Sequence, residues 1–230
     1  MFRLDSSQVF RSERLDRFRW LQHGFGTRLS LGWPDASGLA TAKQIHSDGV
    51  LVATEAGQIG TGDAIITKRP GVIVAIRTAD CLPILIVDPR THAVAAVHAG
   101  WRGVVAEIAP KTVGAMGLEF GSRPEDLEVA IGPGIGLCCF EVGPEVAAQF
   151  SAFFPERNDL SARTKVDLAE TVIRQLGRNG VTRDRIDTAD LCSFCKPELF
   201  ESYRRDRERA GRMVAAVRVS EEGAGVAPPF

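Results

Sequence analysis

Apolar residues run almost unbroken through four short stretches in the middle of the chain: DAIIT (63–67), GVIVAIRT (71–78), PILIVD (83–88) and HAVAAVHA (92–99). Each is shorter than a typical helix and flanked by turn-formers, as at Asp-Pro-Arg-Thr 88–91, so the pattern predicts four successive strands. Runs that do not alternate polar with apolar imply strands covered on both faces. LEVAIG (127–132), RIDTA (185–189) and MVAAVRVS (213–220) predict three more. Helical spacing appears between them. Val104, Val105, Ile108, Val113 and Met116 mark a helix over 104–118 that Pro110 should kink or split. GPEVAAQF opens with Pro144 at a first-turn position. DLAETVIRQLGRNG is the clearest helix: Asp167 caps it, Leu168, Val172, Ile173 and Leu176 form its stripe, and Gly180 stops it. Strands mixed with helices, without strict alternation, predict an α/β fold, a layered sandwich around a mixed β-sheet. No repeat or linker divides the chain, so residues 1–230 are expected to form a single domain, with 221–230 a frayed tail.

Charge changes this picture little. A net charge of −1 offers no basic field for nucleic acid or an anionic membrane. The arginine clusters near the two ends (Arg11, Arg14, Arg17, Arg19; Arg204, Arg205, Arg207, Arg209) are interrupted by acids and read as solvated faces. The longest apolar runs are far too short to span a bilayer, and the N-terminus lacks the pattern of a signal peptide. Five cysteines, an odd number in a chain too large to need disulfide staples, point to a reducing cytoplasm.

Chemistry concentrates in three motifs. KQIHSDG places His46 among turn-prone residues, TADCLP places Cys81 beyond a strand, and HAGWRG places His98 at the end of another. Two imidazoles and one thiol are donors that zinc accepts, and three protein ligands with one position open is a catalytic pattern. The spacings of 35 and 17 residues match no compact zinc-finger signature. The plainer reading is a buried Cys81 and two histidines bonded to backbone. CSFC (192–195) has the C-x-x-C spacing, which alone could mean zinc or redox chemistry, yet only one such pair is present.

HGFGTR, KQIHSDGV, DAIIT, TADCLPILIVD, AAVHAGWRG, AIGPGIGLCCFEVG and SYRRD…GR occur in order over about residues 23–219. Together they resemble the YfiH/DUF152 family, once labelled polyphenol oxidase or laccase domain, whose fold groups with that of toxin deamidases. The resemblance implies a zinc-dependent purine nucleoside phosphorylase that cleaves adenosine, inosine, guanosine or methylthioadenosine with phosphate and also deaminates adenosine. It implies metal ligation by His46, Cys81 and His98. The other expected site residues are Arg102 as a phosphate grip beside a helix start, Gln44 and Arg28 near the substrate, Asp80 as a proton-handling or orienting group, and Cys139 as a lining residue. Trp101 is expected to be a packed wall, His23 a structural histidine and Asp63 a turn cap. Cys195 departs from the family, which typically carries Thr at the corresponding position. Expected partners are purine nucleosides and phosphate, with no nucleic acid or membrane, and a monomer or weak homodimer. Three rivals stay open: a copper-dependent polyphenol oxidase, a hydrolase using Cys81 and His98, and a partner-binding domain without activity. Four histidines in total are too few for a multicopper centre.

Overall fold

In a computed structural model, which describes residues 1–220, the chain forms fifteen strands and six short to medium helices. The tail expected at 221–230 lies outside the described residues. The N-terminal third, whose sequence carries few long apolar runs, supplies β1 (Phe2–Leu4), β2 (Val9–Ser12), helix α1 (Glu13–Asp16), β3 (Leu21–Gly26), β4 (Leu39–Lys43), β5 (Val50–Val52) and β6 (Gly57–Thr61). The four predicted central strands are present as β7 (Ala64–Thr67), β8 (Ile73–Thr78), β9 (Leu82–Asp88) and β10 (Ala93–Ala99). Beyond them lie α2 (Trp101–Val105), α3 (Ile108–Phe120), β11 (Glu128–Ile131), β12 (Glu141–Val142), α4 (Pro144–Ala147), β13 (Thr164–Lys165), α5 (Leu168–Arg178), β14 (Ile186–Thr188), α6 (Tyr203–Asp206) and β15 (Met213–Val219).

The expected layered α/β architecture contains two mixed sheets rather than one. A seven-stranded sheet runs β1-β2-β3-β15-β8-β4-β6, and a six-stranded sheet runs β14-β11-β9-β10-β7-β5. The second holds three of the four uninterrupted apolar runs, as β7, β9 and β10. Along β9, Leu85 and Val87 point into the core between the sheets, with Phe25, Val74, Ile76, Ala215 and Val217. Ile84 and Ile86, one residue out of phase, point instead to the helices, against Ile108 and Met116 of α3 and Val172 and Leu176 of α5. A strand clothed on both sides has no polar phase to show.

The helix expected over 104–118 is split, though the break falls before the proline. α2 ends at Ala106, Glu107 adopts a left-handed φ of 60°, and α3 restarts at Ile108. Pro110 then occupies the first turn of α3, where its missing N–H would have had no helical partner. α5 is capped as its sequence dictates, the Asp167 carboxylate accepting from the Glu170 N–H at 2.9 Å.

Three of the four N-terminal arginines are engaged in ion pairs, while Arg19 is exposed. Arg14, Arg17 and Arg185 converge on the Glu128 carboxylate, which is 2% exposed, and so tie the first segment to β11 and β14. Arg11 pairs with Asp5 and lies over the Trp33 ring at 4.4 Å. His23 is buried, and its Nε2 accepts from the Ser12 N–H at 3.0 Å. That bond fixes a neutral tautomer. Burial is the main cause that pulls the imidazole down to about 4, against the opposing charge of Asp16.

An unfolded histidine titrates near 6.5, so His23 contributes stability above that pH which is lost as pH falls from about 6.5 to 4. The shift corresponds to about 3 kcal/mol over the window. His23→Gln retains an acceptor for Ser12 and removes the titration. Urea midpoints measured from pH 7 to 4.5 should fall steeply for the parent chain and much less for the variant.

Candidate metal centre and active-site cleft

Three separate segments meet at the end of the sandwich. His46 lies in the link that leaves β4 in one sheet for β5 in the other, and Cys81 lies in the crossover from β8 to β9. His98 sits on β10 opposite Pro83. One ligand atom from each of the three lies within 4.8 Å of the others, and the two imidazole rings meet edge to face at 4.9 Å.

Their common anchor is Asp63, which is fully buried. Its Oδ1 accepts from His98 Nδ1 at 2.8 Å and from the His46 N–H at 3.0 Å. Its Oδ2 accepts from the backbone of Ile45 and Ser47 and from the Ser47 hydroxyl, at 3.2, 2.6 and 2.7 Å. The Asp63 backbone carbonyl accepts from the His98 N–H at 2.7 Å. One carboxylate therefore holds His46 in its left-handed conformation (φ 61°) and commits Nδ1 of His98, leaving Nε2 free for a metal. Asp63 was expected to cap a turn; it does so, and orients a ligand as well.

The donors fit a zinc-class cation on two counts. Two imidazoles and a thiol within one coordination sphere leave a position for a fourth ligand. The backbone also makes room, because a Cβ at Gly100 would stand 2.9 Å from His46 Cδ2 and 3.0 Å from Cys81 Sγ. The first glycine of HAGWRG thus serves close approach.

Electrostatics agree with that reading. Burial pushes the Cys81 thiol up, but hydrogen bonds and charge from His46 and His98 outweigh it and bring it to about 7. Burial likewise depresses His98, while its bonds to Asp63 and Cys81 prevail and lift it to about 9. Asp63 is desolvated, yet its donors hold it well below the carboxylate range.

The cluster forms the floor of a cleft of about 630 Å³, within the size range of small-molecule sites. Trp101, Ile135, Phe140 and Leu168 give it an apolar wall, and Arg77, Arg204, Arg207 and Arg212 give it a cationic rim. None of these four arginines pairs with a carboxylate among the described residues. Trp101 is a half-buried wall residue, as expected.

The other proposed site residues fall in different places. Gln44 lines the cleft, but its amide is engaged twice by the Arg77 backbone, at 2.8 Å each way. Asp80 also lines it, with Oδ1 accepting from Ser193 Oγ at 2.6 Å and Oδ2 from the Arg204 N–H at 2.8 Å. Its carboxylate fastens two wall segments. Arg102 corrects the expectation of a phosphate grip: it is exposed, lies over Trp101 at 4.4 Å and is not among the lining residues. Arg28 likewise lies outside the cleft, donating to the Pro197 carbonyl at 2.8 Å and facing Glu201 at 3.4 Å. Cys139 is not a lining residue but belongs to a separate group of thiols.

The cationic rim was overlooked in the sequence because Arg204 and Arg207 read as part of a solvated run. The SYRRD…GR motif was the available signal.

A mixed-sheet sandwich with a His-Cys-His cluster at one end defines a class of metal-site α/β protein, and comparison with known proteins gives the family. Residues 27–220 match the family model described as multi-copper polyphenol oxidoreductase laccase. The chain belongs to this family, which is that of the YfiH proteins. It is 40% identical over 190 residues to a protein of Deinococcus radiodurans named purine nucleoside phosphorylase, covering 79% of this chain and 70% of that one. It is 36% identical over 183 residues to Escherichia coli purine nucleoside phosphorylase YfiH, covering 76% and 71%. Among solved structures, YlmD from Geobacillus stearothermophilus superposes with a TM-score of 0.86 at 26% identity, over 96% of this chain and 99% of that one.

Two measurements test the centre. Asp63→Asn replaces one acceptor oxygen by a donor and should weaken zinc binding about 10- to 100-fold, read by competition with a chromophoric chelator. Of the two shifted groups, His98 must lose a proton below about pH 9 and Cys81 below about pH 7 before either can ligate. Apparent affinity should therefore fall about tenfold per unit between pH 9 and 7 and about 100-fold per unit below 7.

Proposed function

We propose that the chain is a zinc-dependent purine nucleoside phosphorylase with adenosine deaminase activity, working in a reducing cytoplasm as a monomer or weak homodimer. The observation that carries this reading is a cleft with an apolar wall, a cationic rim and a two-His, one-Cys floor in a single cavity. The relatives named purine nucleoside phosphorylase support it. So do five free thiols and the absence, among described residues, of any helix long and apolar enough to cross a membrane.

Phosphorolysis forms a bond from a phosphate oxygen to C1′ and breaks the C1′–N9 bond, with a proton delivered to the departing purine. Positive charge grows on the sugar as the old bond lengthens. Among the described residues Arg77, Arg204, Arg207 and Arg212 have no carboxylate partner, and they are suited to hold the phosphate dianion. Trp101 and Phe140 offer flat apolar area for the purine. Asp80 keeps the arginine-bearing segment in place through the Arg204 N–H. A zinc ion held by His46, Cys81 and His98 would supply Lewis acidity at the floor of the cleft. Deamination exchanges the C6 amino group of adenosine for oxygen from water, releasing ammonia.

The donor count disfavours multicopper oxidase chemistry. Of the four histidines, His23 is buried against Ser12, and His92 stacks on Trp20 at 4.2 Å. Only two imidazoles reach the cleft. A single copper suits the same donors, and metal content measured alongside phenol oxidation separates that case.

One observation favours a second reading. Asp63, His98 and Cys81 stand in the order of orienter, base and nucleophile of a cysteine hydrolase. His46 distinguishes the two, because a hydrolase needs no second imidazole. His46→Ala should abolish a zinc-dependent activity and spare a hydrolase.

Purified protein incubated with adenosine should yield adenine only when phosphate is present, and inosine without it, as resolved by chromatography. Neither product would overturn the proposal. Arg204→Ala should raise the KM for phosphate about 10- to 100-fold, whereas Arg102→Ala should change it far less.

A further inference from the structure

Outside the cleft, the densest group of potential ligands is a set of four cysteines. Cys138 and Cys139 lie on the loop between β11 and β12, and Cys192 and Cys195 on the segment between β14 and α6. All four sulfurs lie within 4.8 Å of one another, with Cys139–Cys195 at 3.3 Å and Cys138–Cys195 at 3.6 Å. We propose that Cys138, Cys139, Cys192 and Cys195 form a second metal site that takes one zinc-class divalent cation as a tetrathiolate.

The spacing is the first argument. Zinc–sulfur bonds of about 2.3 Å in a tetrahedron set the sulfurs about 3.8 Å apart, close to what the loops already present. Disulfides would require S–S bonds of about 2.05 Å, yet Cys195 is shared between two partners and bonded to neither.

The surrounding backbone is the second argument. The Gly136 N–H donates to Cys192 Sγ at 3.3 Å, as suits a thiolate ligand. Cys138 and Cys195 are exposed, so a cation has a route in. As it binds, each thiol releases its proton to solvent, and no oxidant is required.

Such a site would brace the cleft. Ser193, between the paired cysteines, donates to Asp80 beside Cys81. The carbonyls of Ser193 and Phe194 accept from Arg205 in the arginine-bearing segment, at 3.1 and 3.2 Å. The cation would cross-link two loops more than fifty residues apart along the chain, one of which contributes Ile135 and Phe140 to the cleft wall.

Protein stripped under reducing conditions is titrated with Zn²⁺ against a chromophoric chelator, and separately with Co²⁺ followed by absorption. The parent chain should take two equivalents, and Cys195→Ser and Cys81→Ser one each. Cobalt bound to Cys81→Ser should show the strong sulfur-to-metal charge transfer of an all-thiolate site. If zinc at His46, Cys81 and His98 is the reading that fails, the parent and Cys81→Ser take one equivalent each and Cys195→Ser none, and the second site stands. Two equivalents in Cys195→Ser would overturn the proposal. So would no binding in Cys81→Ser, or no all-thiolate cobalt spectrum in the parent chain, which does not depend on how a variant folds.

Discussion

The site depends on one buried carboxylate. Asp63 offers two oxygens to five donors drawn from His46 and its neighbours, Ser47 and His98. Burying an ion is costly unless its hydrogen-bonding capacity is met, and here it is. What results is rigidity where flexibility would be expected. His46 lies in an exposed loop, yet three consecutive backbone N–H groups, from Ile45 to Ser47, are gathered onto one side chain. Ligands preorganised in this way do not have to be ordered again by the cation.

Most of the central architecture was legible in the sequence, because its strands carry long apolar runs and α5 carries its own cap and stop. The N-terminal strands were not. β1, β2 and β4–β6 are short, lie largely toward the sheet edges and mix polar with apolar residues, so no period stands out. The second sheet was equally hidden: a run such as PILIVD shows that both faces are covered, but not that one cover is another sheet. The ligand triad was readable as donor types and by resemblance, whereas the convergence of His46 with the other two required the link between the sheets. The arginines show the opposite failure. Arg102 drew attention by its place in HAGWRG, while the cationic rim comes from Arg77 and from a C-terminal stretch whose alternating charges look solvated. Local sequence does not reveal which side of a loop faces a cavity.

The family's description and its relatives' names point to different chemistries, and the arrangement of histidines bears on the choice. A polynuclear copper centre needs imidazoles in numbers that this cleft does not hold. Two imidazoles and a thiol beside arginines that no carboxylate pairs among the described residues, with flat apolar side chains, suit an anionic co-substrate and a heteroaromatic ring. The old oxidase label and a nucleoside-cleaving role can refer to one set of donors, since an N/S site that holds zinc also accepts copper.

The three ligands also report on assembly. His46 and Cys81 each lie in a connection that passes from one sheet to the other, and His98 lies within the second sheet. Cys81 and His98 are brought together by the β9–β10 hairpin, in which Leu82 stands opposite Ala99 and Pro83 opposite His98; His46 joins them only through the link between the sheets. Two of the three donors are therefore set by one hairpin and the third by the packing of the two sheets, so the complete donor set exists only in the docked sandwich.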